Sequence, residues 1–401
     1  MALLGISLPD TARLRLDAGA PELRLEELNL ERPLEPGRPV RLIDRGAGVV
    51  ATGVADPENG VVRVYSRQDV RAFDLGFFKR RVGEALQLRR AVGLVSGPDD
   101  AYRLVNDAGD GLPGLTADVY GGFLVVTVPG RGLLPLGRLV AEAALAIAGD
   151  NQLPWVGAVV KVRGKDPQDR SAKEEVLGAT PPEKLIVREL GVPFEVHPLG
   201  SLNVGLFTDM REHRRNMARF TTGRRVLNTF AYTGALSVAA ARAGAAEVTS
   251  VDLSGGVLAW AKENFRLSGL DPDLPKYRFE TSDTRRYFER AREQGATFDT
   301  IIMDPPTVSA ARASQWSMKK DYPDLIALAT KLLPSTGGIL WISGNPRRGP
   351  GVLTHAVEGI RRAGRRAALL ELGGQPPDYP TPPDWSEARY LEVCLLHVQP
   401  D

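Results

Sequence analysis

Acidic side chains follow successive apolar runs in the second half of the chain, where parallel strands would end. Asp252 ends the run “EVTSVD”, and Asp283 follows the next run. Asp304 ends a further run, “TFDTIIMD”. The carboxyl ends of parallel strands meet at one edge of an open α/β sheet, and ligands bind there. Three acids at successive strand ends therefore predict a site for a ligand with hydroxyl and amino groups. The alternative is that each acid only caps the helix that follows it.

The turn after the first strand of this region, “NTFAYTG”, indicates the kind of ligand. It holds a single glycine, Gly234, and two bulky residues, Phe230 and Tyr232. A dinucleotide fold needs three glycines at this turn, so that the backbone can approach a pyrophosphate. S-adenosylmethionine has no phosphate; it offers a carboxylate, an ammonium, a ribose diol and an adenine. The turn therefore favours S-adenosylmethionine as the cofactor.

Each polar residue of the region can be matched to one part of that cofactor. Asn228, Thr233 and the amides of the following helix can bind the amino-acid end. Asp252 comes 24 residues after Asn228 and is a suitable acceptor for the ribose hydroxyls. Asp283 is placed to receive the adenine amino group.

Two further strand ends could carry the chemistry. Asp304 is followed by Pro305 and Pro306, and this rigid diproline would hold a carboxylate and backbone carbonyls beside the sulfonium of the cofactor. The fifth strand, “GGILWIS”, is followed by Gly344 and Asn345. Together with the other acids, the diproline favours a methyltransferase. Asn345 is a candidate contact to the substrate, and a plain Asn-Pro turn is the alternative.

The elements that position these residues predict an α/β fold with three domains. From about residue 186, strands and helices alternate, which predicts a parallel, doubly wound sheet. Its last two strands, “ALLELGG” and “RYLEVCLLHV”, should pair as a hairpin at the edge and make the sheet mixed. We expect a small β-rich module at 1–70, a linking α/β domain at 71–185 and the cofactor domain at 186–401. The polar segment 162–184 predicts an exposed loop or domain boundary.

The composition describes a globular protein. Hydrophobic residues make up 43% and charged residues 25% of the 401 positions, and no apolar run approaches the ~20 residues of a membrane helix. The N-terminal segment lacks the basic start and apolar stretch of a signal peptide. A single cysteine, Cys394, excludes a disulfide framework and a thiolate metal cage within the chain. We expect a cytoplasmic protein with no metal and no membrane association.

The charge permits a nucleic-acid partner without requiring one. The net charge is +2, and basic residues cluster at 78–81, 211–219 and 361–366. Only ten of the 51 basic residues are lysine, and arginine suits contacts to phosphates and bases. The alternative for each cluster is a solvated surface.

Five segments together resemble the large-subunit rRNA base methyltransferases, over roughly residues 38–398. They are “DAGDGLPGLTADVYGGFLVV”, “GLFTDMREHRR”, “VLNTFAYTG”, “SVDLSGGVLAWAKENFRLSGL” and “DPPTVS”. The resemblance implies a class I, Rossmann-like methyltransferase domain behind a linking α/β domain and a small PUA-like β-rich module. It also implies S-adenosylmethionine as cofactor and RNA, specifically 23S rRNA, as partner, and it is compatible with a homodimer.

The same resemblance implies which residues form the site. Residues expected at the reaction centre are Asp304, Pro305 and Asn345. Residues expected to contact the cofactor are Phe207, Arg211, Asn228, Phe230, Tyr232, Thr233, Gly234, Asp252, Leu253, Asp283 and Asp304.

Two branches of the family differ in their chemistry. The domain order is similar to the cytosine carbon-5 branch, in which a cysteine after the fifth strand adds to the ring. Gly344 stands at that position here, and Cys394 lies inside an apolar strand, where we expect a core residue. The basic start of that branch's RNA-binding module is also missing from this chain.

The motifs are more similar to the guanine-N7 branch. N7 of guanine carries an in-plane lone pair and no proton, so direct transfer needs neither a nucleophile nor a general base. Asp304 could then hold an exocyclic amino group and Asn345 a base edge, while Arg347 and Arg348 would meet flanking phosphates.

Two other classes of function stay open. A small-molecule methyltransferase would explain the degenerate N-terminal module and the nearly neutral charge. An RNA-binding protein without activity is the other alternative, although every cofactor motif is intact.

Overall fold

The structure is a computed structural model, and it describes residues 3–95, 97, 99–163, 174–306, 317–346 and 349–400. The chain forms two compact units. The first unit comprises Met1–Gly191, Val196–Val204 and Pro377–Ala388. The second unit comprises Val192–Glu195, Gly205–Pro376 and Arg389–Asp401. The boundary predicted near residue 70 falls inside the first unit and stays a prediction.

The first unit begins with a five-stranded sheet in the order β1-β3-β4-β5-β2. Its elements are β1 (Leu4–Ser7), α1 (Asp10–Asp17), β2 (Glu22–Arg24), β3 (Pro39–Asp44), β4 (Gly48–Asp56) and β5 (Val61–Ser66). Gly60, at φ 72°, ends the short turn between β4 and β5. Buried aliphatic residues such as Leu23, Val40 and Leu42 form a core of their own. This sheet is the β-rich module that the sequence predicts.

A second five-stranded sheet follows in the order β10-β9-β8-β7-β6. Its elements are α2 (Leu75–Ala91), β6 (Ala101–Asn106), β7 (Thr116–Tyr120), β8 (Phe123–Val128), α3 (Leu134–Asn151), β9 (Gly157–Val162) and β10 (Glu175–Gly178). The prediction of a loop throughout 162–184 is wrong for β10, which pairs antiparallel with β9. Four residues at a sheet edge are too few to show a strand pattern. Residues 164–173 lie outside the described part of the chain.

One helical stretch contradicts the expectation that no apolar run reaches membrane length. Arg131–Asn151 is long and apolar enough to cross a membrane, judged by length and a mean hydropathy of 1.4. Half of that stretch is buried, and α3 packs on β8 and β9. Val140, Ala144 and Ile147 lie in the core of this sheet. A core helix accounts for the apolar composition.

The second unit holds a seven-stranded sheet in the order β15-β14-β13-β16-β17-β19-β18. β11 (Leu185–Glu189) and β12 (Val192–Val196) form a separate two-stranded sheet. The remaining elements are α4 (Arg211–Asn216), α5 (Ala218–Thr221), β13 (Arg225–Thr229), α6 (Ala235–Arg242), β14 (Glu247–Asp252), α7 (Gly255–Leu267), β15 (Tyr277–Thr281), α8 (Thr284–Glu293), β16 (Thr300–Met303), α9 (Met318–Thr330), β17 (Gly338–Gly344), α10 (Val352–Arg362), β18 (Ala367–Gly373) and β19 (Glu392–Val398).

The strand order reverses beside β13, which is the switch point of a doubly wound sheet. β13 to β17 are parallel, whereas β19 runs antiparallel between β17 and β18. The predicted mixed sheet with a terminal hairpin is confirmed. α6 packs against α4, α5 and α7, and α9 packs against α8 and α10. The helices therefore form two groups, and α6 to α10 each follow a parallel strand and begin at its carboxyl edge.

Candidate active site

The turn between β13 and α6 has an unusual backbone. Phe230 and Tyr232 have φ values of 57° and 49°, and Gly234 has φ 79°. A positive φ costs an L-residue roughly 1–2 kcal/mol, so the surroundings must impose it. Backbone strain of this kind concentrates at ligand-binding turns. The strained turn lies at the switch point, where an α/β sheet binds its ligand.

Asp252 holds this turn in place. Its Oδ2 accepts a hydrogen bond from the amide of Tyr232 at 3.0 Å, and its Oδ1 accepts one from the amide of Ser254 at 3.0 Å. A carboxylate has about four acceptor positions, so these two bonds orient Asp252 without saturating it. Asp252 is half-buried and can therefore accept ribose hydroxyls.

Gly234 allows the first helix of the site to start close to its neighbour. A Cβ at this position would lie 2.8 Å from Cβ of Ala261 on α7. The first amides of α6 lack intrahelical acceptors and can bind a carboxylate. Thr233 is buried, and its hydroxyl donates to the carbonyl of Gly205 at 2.5 Å. The carbonyl of Thr233 accepts a hydrogen bond from Nδ2 of Asn264 at 2.8 Å. The structure thus uses both the hydroxyl and the carbonyl of Thr233 internally.

Asn228 lies beneath the turn and is fully buried. Its Nδ2 donates to Oγ of Ser237 at 2.8 Å, and Oγ of Ser237 also contacts Oγ of Ser250 at 2.7 Å. Oδ1 of Asn228 has no hydrogen-bond partner among the described residues. A buried acceptor without a donor calls for an explanation. The ammonium of an amino-acid ligand would supply that donor.

Two exposed apolar side chains lie beside the turn. Phe207 is 46% exposed and Leu253 is 49% exposed. The ring centroid of Phe207 lies 5.3 Å from that of Tyr232. Exposed apolar groups beside a polar site suit a flat aromatic ligand such as adenine. Arg211, in contrast, is fully buried in the first turn of α4, with Nε 3.6 Å from Oε1 of Glu212. The structure does not bring Arg211 to this surface.

Asp283 acts as a helix cap, which is the alternative role that the sequence leaves open for the acids. Its side chain accepts a hydrogen bond from the amide of Arg286 at 3.2 Å and caps α8. The neighbouring amide of Ser282 donates to the carbonyl of Asp252 at 2.9 Å. Asp252 does not cap α7, because Ser254 does, with Oγ 3.4 Å from the amide of Val257. The two acids lie on adjacent strand ends, but Asp283 caps a helix and Asp252 does not.

The ends of β16 and β17 meet at Asp304. Oγ of Ser343 donates to Oδ1 of Asp304 at 2.5 Å. The hydroxyl of Tyr322 on α9 lies 2.9 Å from the carbonyl oxygen of Ser343 and 3.3 Å from that of Met303. Burial of the carboxyl group raises the pKa of Asp304 to about 6, and the Ser343 hydrogen bond opposes that rise. Asp304 is therefore ionised at neutral pH and keeps a partly exposed surface.

Residues after β17 complete this end of the site. Oδ1 of Asn345 is buried and has no partner among the residues that the structure describes. At Gly344, a Cβ would lie 2.5 Å from Cε of Met318. Pro305 is buried, next to Asp304. The predicted phosphate contacts, Arg347 and Arg348, lie outside the described residues.

Cys394 is a core residue, as the sequence predicts. It is fully buried on β19, opposite Ile342 of β17. Burial raises the pKa of its thiol to about 12. A thiol with that pKa and no access to solvent is not a nucleophile.

Several residues near Asp304 were not predicted from the sequence. Ser343 and Tyr322 were not predicted to act there. The hydroxyl of Tyr390 donates to Oδ2 of Asp209 at 2.7 Å, and Nη2 of Arg214 donates to the carbonyl of Phe207 at 2.6 Å. Asp209 stands in the “GLFTD” segment, which is the only signal that could have drawn attention to it.

An open sheet of this order, with a glycine-poor, strained turn and acids at or just after the ends of β14, β15 and β16, defines a Rossmann-like methyltransferase. The chain belongs to the S-adenosylmethionine-dependent methyltransferase family, whose model matches residues 111–395.

Curated relatives and solved structures agree with that assignment. The chain is 32% identical to a protein of Cronobacter sakazakii named ribosomal RNA large subunit methyltransferase I, over 92% of each chain. A protein of the same name from Aeromonas salmonicida is 32% identical over 84% of each chain. Among solved structures, a putative methyltransferase complexed with SAH is 26% identical, with a TM-score of 0.84 over 99% of this chain and 100% of that chain. A methyltransferase from Agrobacterium tumefaciens, 22% identical with a TM-score of 0.53, covers 76% of this chain and 91% of that chain and shows the fold alone.

S-adenosylmethionine is thus the cofactor, and the site fits it. It supplies a methyl group carried on a sulfonium. The unpaired Oδ1 of Asn228 and the free acceptor positions of Asp252 match its ammonium and ribose groups. Within the described ranges, no group of three or more His, Cys, Asp or Glu side chains could hold a metal ion.

Proposed function

We propose that this enzyme methylates a base of 23S rRNA by direct transfer, without a cysteine nucleophile, and that N7 of guanine is the acceptor atom. The names of the relatives support the choice of large-subunit rRNA. One observation carries the direct transfer. The single thiol of the chain, Cys394, is buried in β19, and Gly344 stands where the cytosine branch has its cysteine.

The described residues suit a reaction that requires positioning alone. The base must leave its stack, lose its water and be aligned with the methyl group. Asp304, ionised above about pH 6, can accept hydrogen bonds from the exocyclic amino group and the ring N1–H of guanine. Oδ1 of Asn345 can accept another, since it has no partner among the described residues. Neither residue needs to remove a proton, because N7 carries none.

The proposal also covers RNA contact outside the second unit, location and oligomeric state. The N-terminal β-rich module is a candidate RNA contact, although it lacks the basic start of the resembling modules. A cytoplasmic location and a homodimer belong to the same proposal.

A product analysis tests this function. Purified enzyme is incubated with labelled S-adenosylmethionine and, separately, unmodified 23S rRNA transcript, assembled large subunits or a metabolite extract, and nucleosides are identified by mass spectrometry. We expect 7-methylguanosine, which makes the RNA cleavable by borohydride followed by aniline. The variant Asp304→Ala, which removes both acceptor oxygens, serves as the low-activity control. Detection of 5-methylcytidine, or of a methylated metabolite with unmodified RNA, would contradict the proposal.

A further inference from the structure

Two adjacent helices of the second unit begin with a pair of basic residues. Arg285 and Arg286 occupy the first turn of α8, and Lys319 and Lys320 occupy the first turn of α9. Arg286, Lys319 and Lys320 are exposed, and Arg285 is half-buried. We call these four residues the basic rim.

Both halves of the basic rim lie at the edge of the sheet that carries the site. Just before α8, the amide of Ser282 donates to the carbonyl of Asp252 at 2.9 Å. At the start of α9, Met318 lies against Gly344, the last residue of β17. α8 and α9 pack side by side. The arginine pair therefore lies beside the ribose-binding acid, and the lysine pair lies beside the end of β17.

The fold does not require cations at these positions. The amino end of a helix carries a partial positive charge and favours acidic side chains. Among the residues that the structure describes, none of the four forms an ion pair. The two acids in the same turns accept hydrogen bonds from backbone amides: Asp283 caps α8, and Oδ2 of Asp321 accepts from the amide of Ser317 at 2.8 Å. Two acids further away pair with other arginines: Glu280 with Arg290 at 3.2 Å, and Asp324 with Arg362. The four cations thus form no ion pair among the described residues, and they lie at helix starts, where the helix dipole disfavours them.

We propose that the basic rim binds the phosphates of the RNA strand on either side of the target nucleotide. This inference rests on the proposed function. An RNA strand is the partner that such a surface fits, because its phosphates supply the anions that these side-chain cations lack. An arginine side chain can donate two parallel hydrogen bonds to one phosphate, whereas a lysine side chain attracts a phosphate as a point charge. The strand would cross from α8 to α9 and present its base to Asp304.

The test compares three double variants that remove the same charge. Arg285→Gln/Arg286→Gln and Lys319→Gln/Lys320→Gln each neutralise half of the basic rim. Arg292→Gln/Lys331→Gln is the matched control, because these exposed residues lie at the opposite ends of the same helices. All three enzymes should fold, and the rim variants should melt at the same temperature as the wild type or higher, since they lose cations that oppose the helix dipole.

The measurements are kcat and KM for the accepted RNA at several salt concentrations, together with the Kd for S-adenosylmethionine. For each rim variant we expect KM to rise on the order of tenfold and the salt slope of log KM to fall by about 1.4, the value for two phosphate contacts on a single strand. We expect unchanged kcat and cofactor Kd. The control should match the wild type.

Two results would overturn the inference while leaving the proposed function intact. One is wild-type KM and salt slope in both rim variants, with RNA still methylated. The other is an equal loss in the control, which would show a general effect of charge. A wild-type enzyme that neither binds nor methylates RNA would instead overturn the proposed function and this inference with it.

Discussion

Ser343 donates a hydrogen bond from its hydroxyl to Oδ1 of Asp304 at 2.5 Å, and this bond joins the ends of two neighbouring strands, β16 and β17. The hydroxyl of Tyr322 on α9 reaches the same two strand ends through their carbonyls. One carboxylate is therefore held by a serine from the next strand and supported by a tyrosine beneath it. Burial raises the pKa of this carboxylate to about 6.

The first prediction concerns the pH profile of turnover. Because direct transfer needs no general base, we expect a rate that is flat from about pH 7 to 9. The rate should fall as the pH drops through about 6, because Asp304 is protonated there and loses acceptor capacity. In Ser343→Ala the carboxylate loses a hydrogen bond that favours its charged form, so the falling limb should move to higher pH. Thr330→Val, which removes a buried hydroxyl bonded to Ile326 on α9, should leave the limb in place. If the fall in rate occurred at the same pH in Ser343→Ala as in the wild type, the Ser343 hydrogen bond would not set the pKa of Asp304.

The second prediction concerns stability. The folded protein raises the pKa of Asp304 from 3.8 to about 6, so the ionised form costs stability above pH 6 and the cost is absent below about pH 4. Asp304→Asn should therefore unfold at higher denaturant, with a gain of about 3 kcal/mol at pH 8 that disappears towards pH 4. Asp299→Asn is a control of opposite sign. The hydrogen bonds that Asp299 accepts from Arg225 outweigh the effect of burial and lower the pKa of Asp299. This variant should therefore be less stable than the wild type at pH 8, and the difference should shrink as the pH falls. If the stability gained in Asp304→Asn did not change with pH, the cost would not come from burial of an ionised Asp304.

The third prediction concerns the cofactor. Asp252→Ala should weaken S-adenosylmethionine binding by on the order of 2 kcal/mol, because it removes charge-assisted hydrogen bonds and frees the strained turn at Tyr232. Calorimetric titration measures the change. Asp271→Ala, an exposed acid that only bonds the amide of Asp273, should bind like the wild type. Unchanged affinity in Asp252→Ala would remove Asp252 from the site.

The fourth prediction concerns the thiol. Cys394→Ser should keep its turnover and lose roughly 1–3 kcal/mol of stability, because a hydroxyl replaces a buried thiol in an apolar core. Cys394→Ala should also be active, without that polar group. Assays of turnover and chemical denaturation separate the two effects. A folded but inactive Cys394→Ser would revive a covalent mechanism and the cytosine assignment.

Local patterns were enough to predict most strands of the second unit. The apolar runs that end at Asp252, Asp304 and Ser343 are β14, β16 and β17, and Ser254, a residue type that favours helix starts, caps α7. Strands that are buried on both faces read as continuous apolar runs, and capping residues act on their own helix. Both signals are contained in a few consecutive residues.

The contacts within the site could not be predicted in the same way. Ser343 meets a carboxylate 39 positions earlier, and the hydroxyl of Thr233 is taken by the carbonyl of Gly205. Asn228 bonds to Ser237 on the next helix, and Arg211 is buried. These partners depend on strand register and helix packing, which no local pattern fixes. What each predicted site residue contacts is therefore decided by the fold and not by its neighbours in sequence, and its role in the site stays a prediction.

The last prediction concerns Asn345, whose Oδ1 is buried without a partner among the described residues. A polar atom in that state destabilises the free enzyme, so Asn345→Ala should unfold at the same denaturant concentration as the wild type or higher. If Oδ1 instead accepts a hydrogen bond from the base, its removal should lower kcat on the order of tenfold or more, while the Kd for S-adenosylmethionine stays unchanged. Asn345→Asp keeps an acceptor and should recover part of the rate. Steady-state kinetics with RNA, calorimetry with the cofactor and denaturation are all needed. Equal losses in kcat and in cofactor affinity would mean that Asn345 holds the cofactor, and normal turnover would make it a simple turn residue.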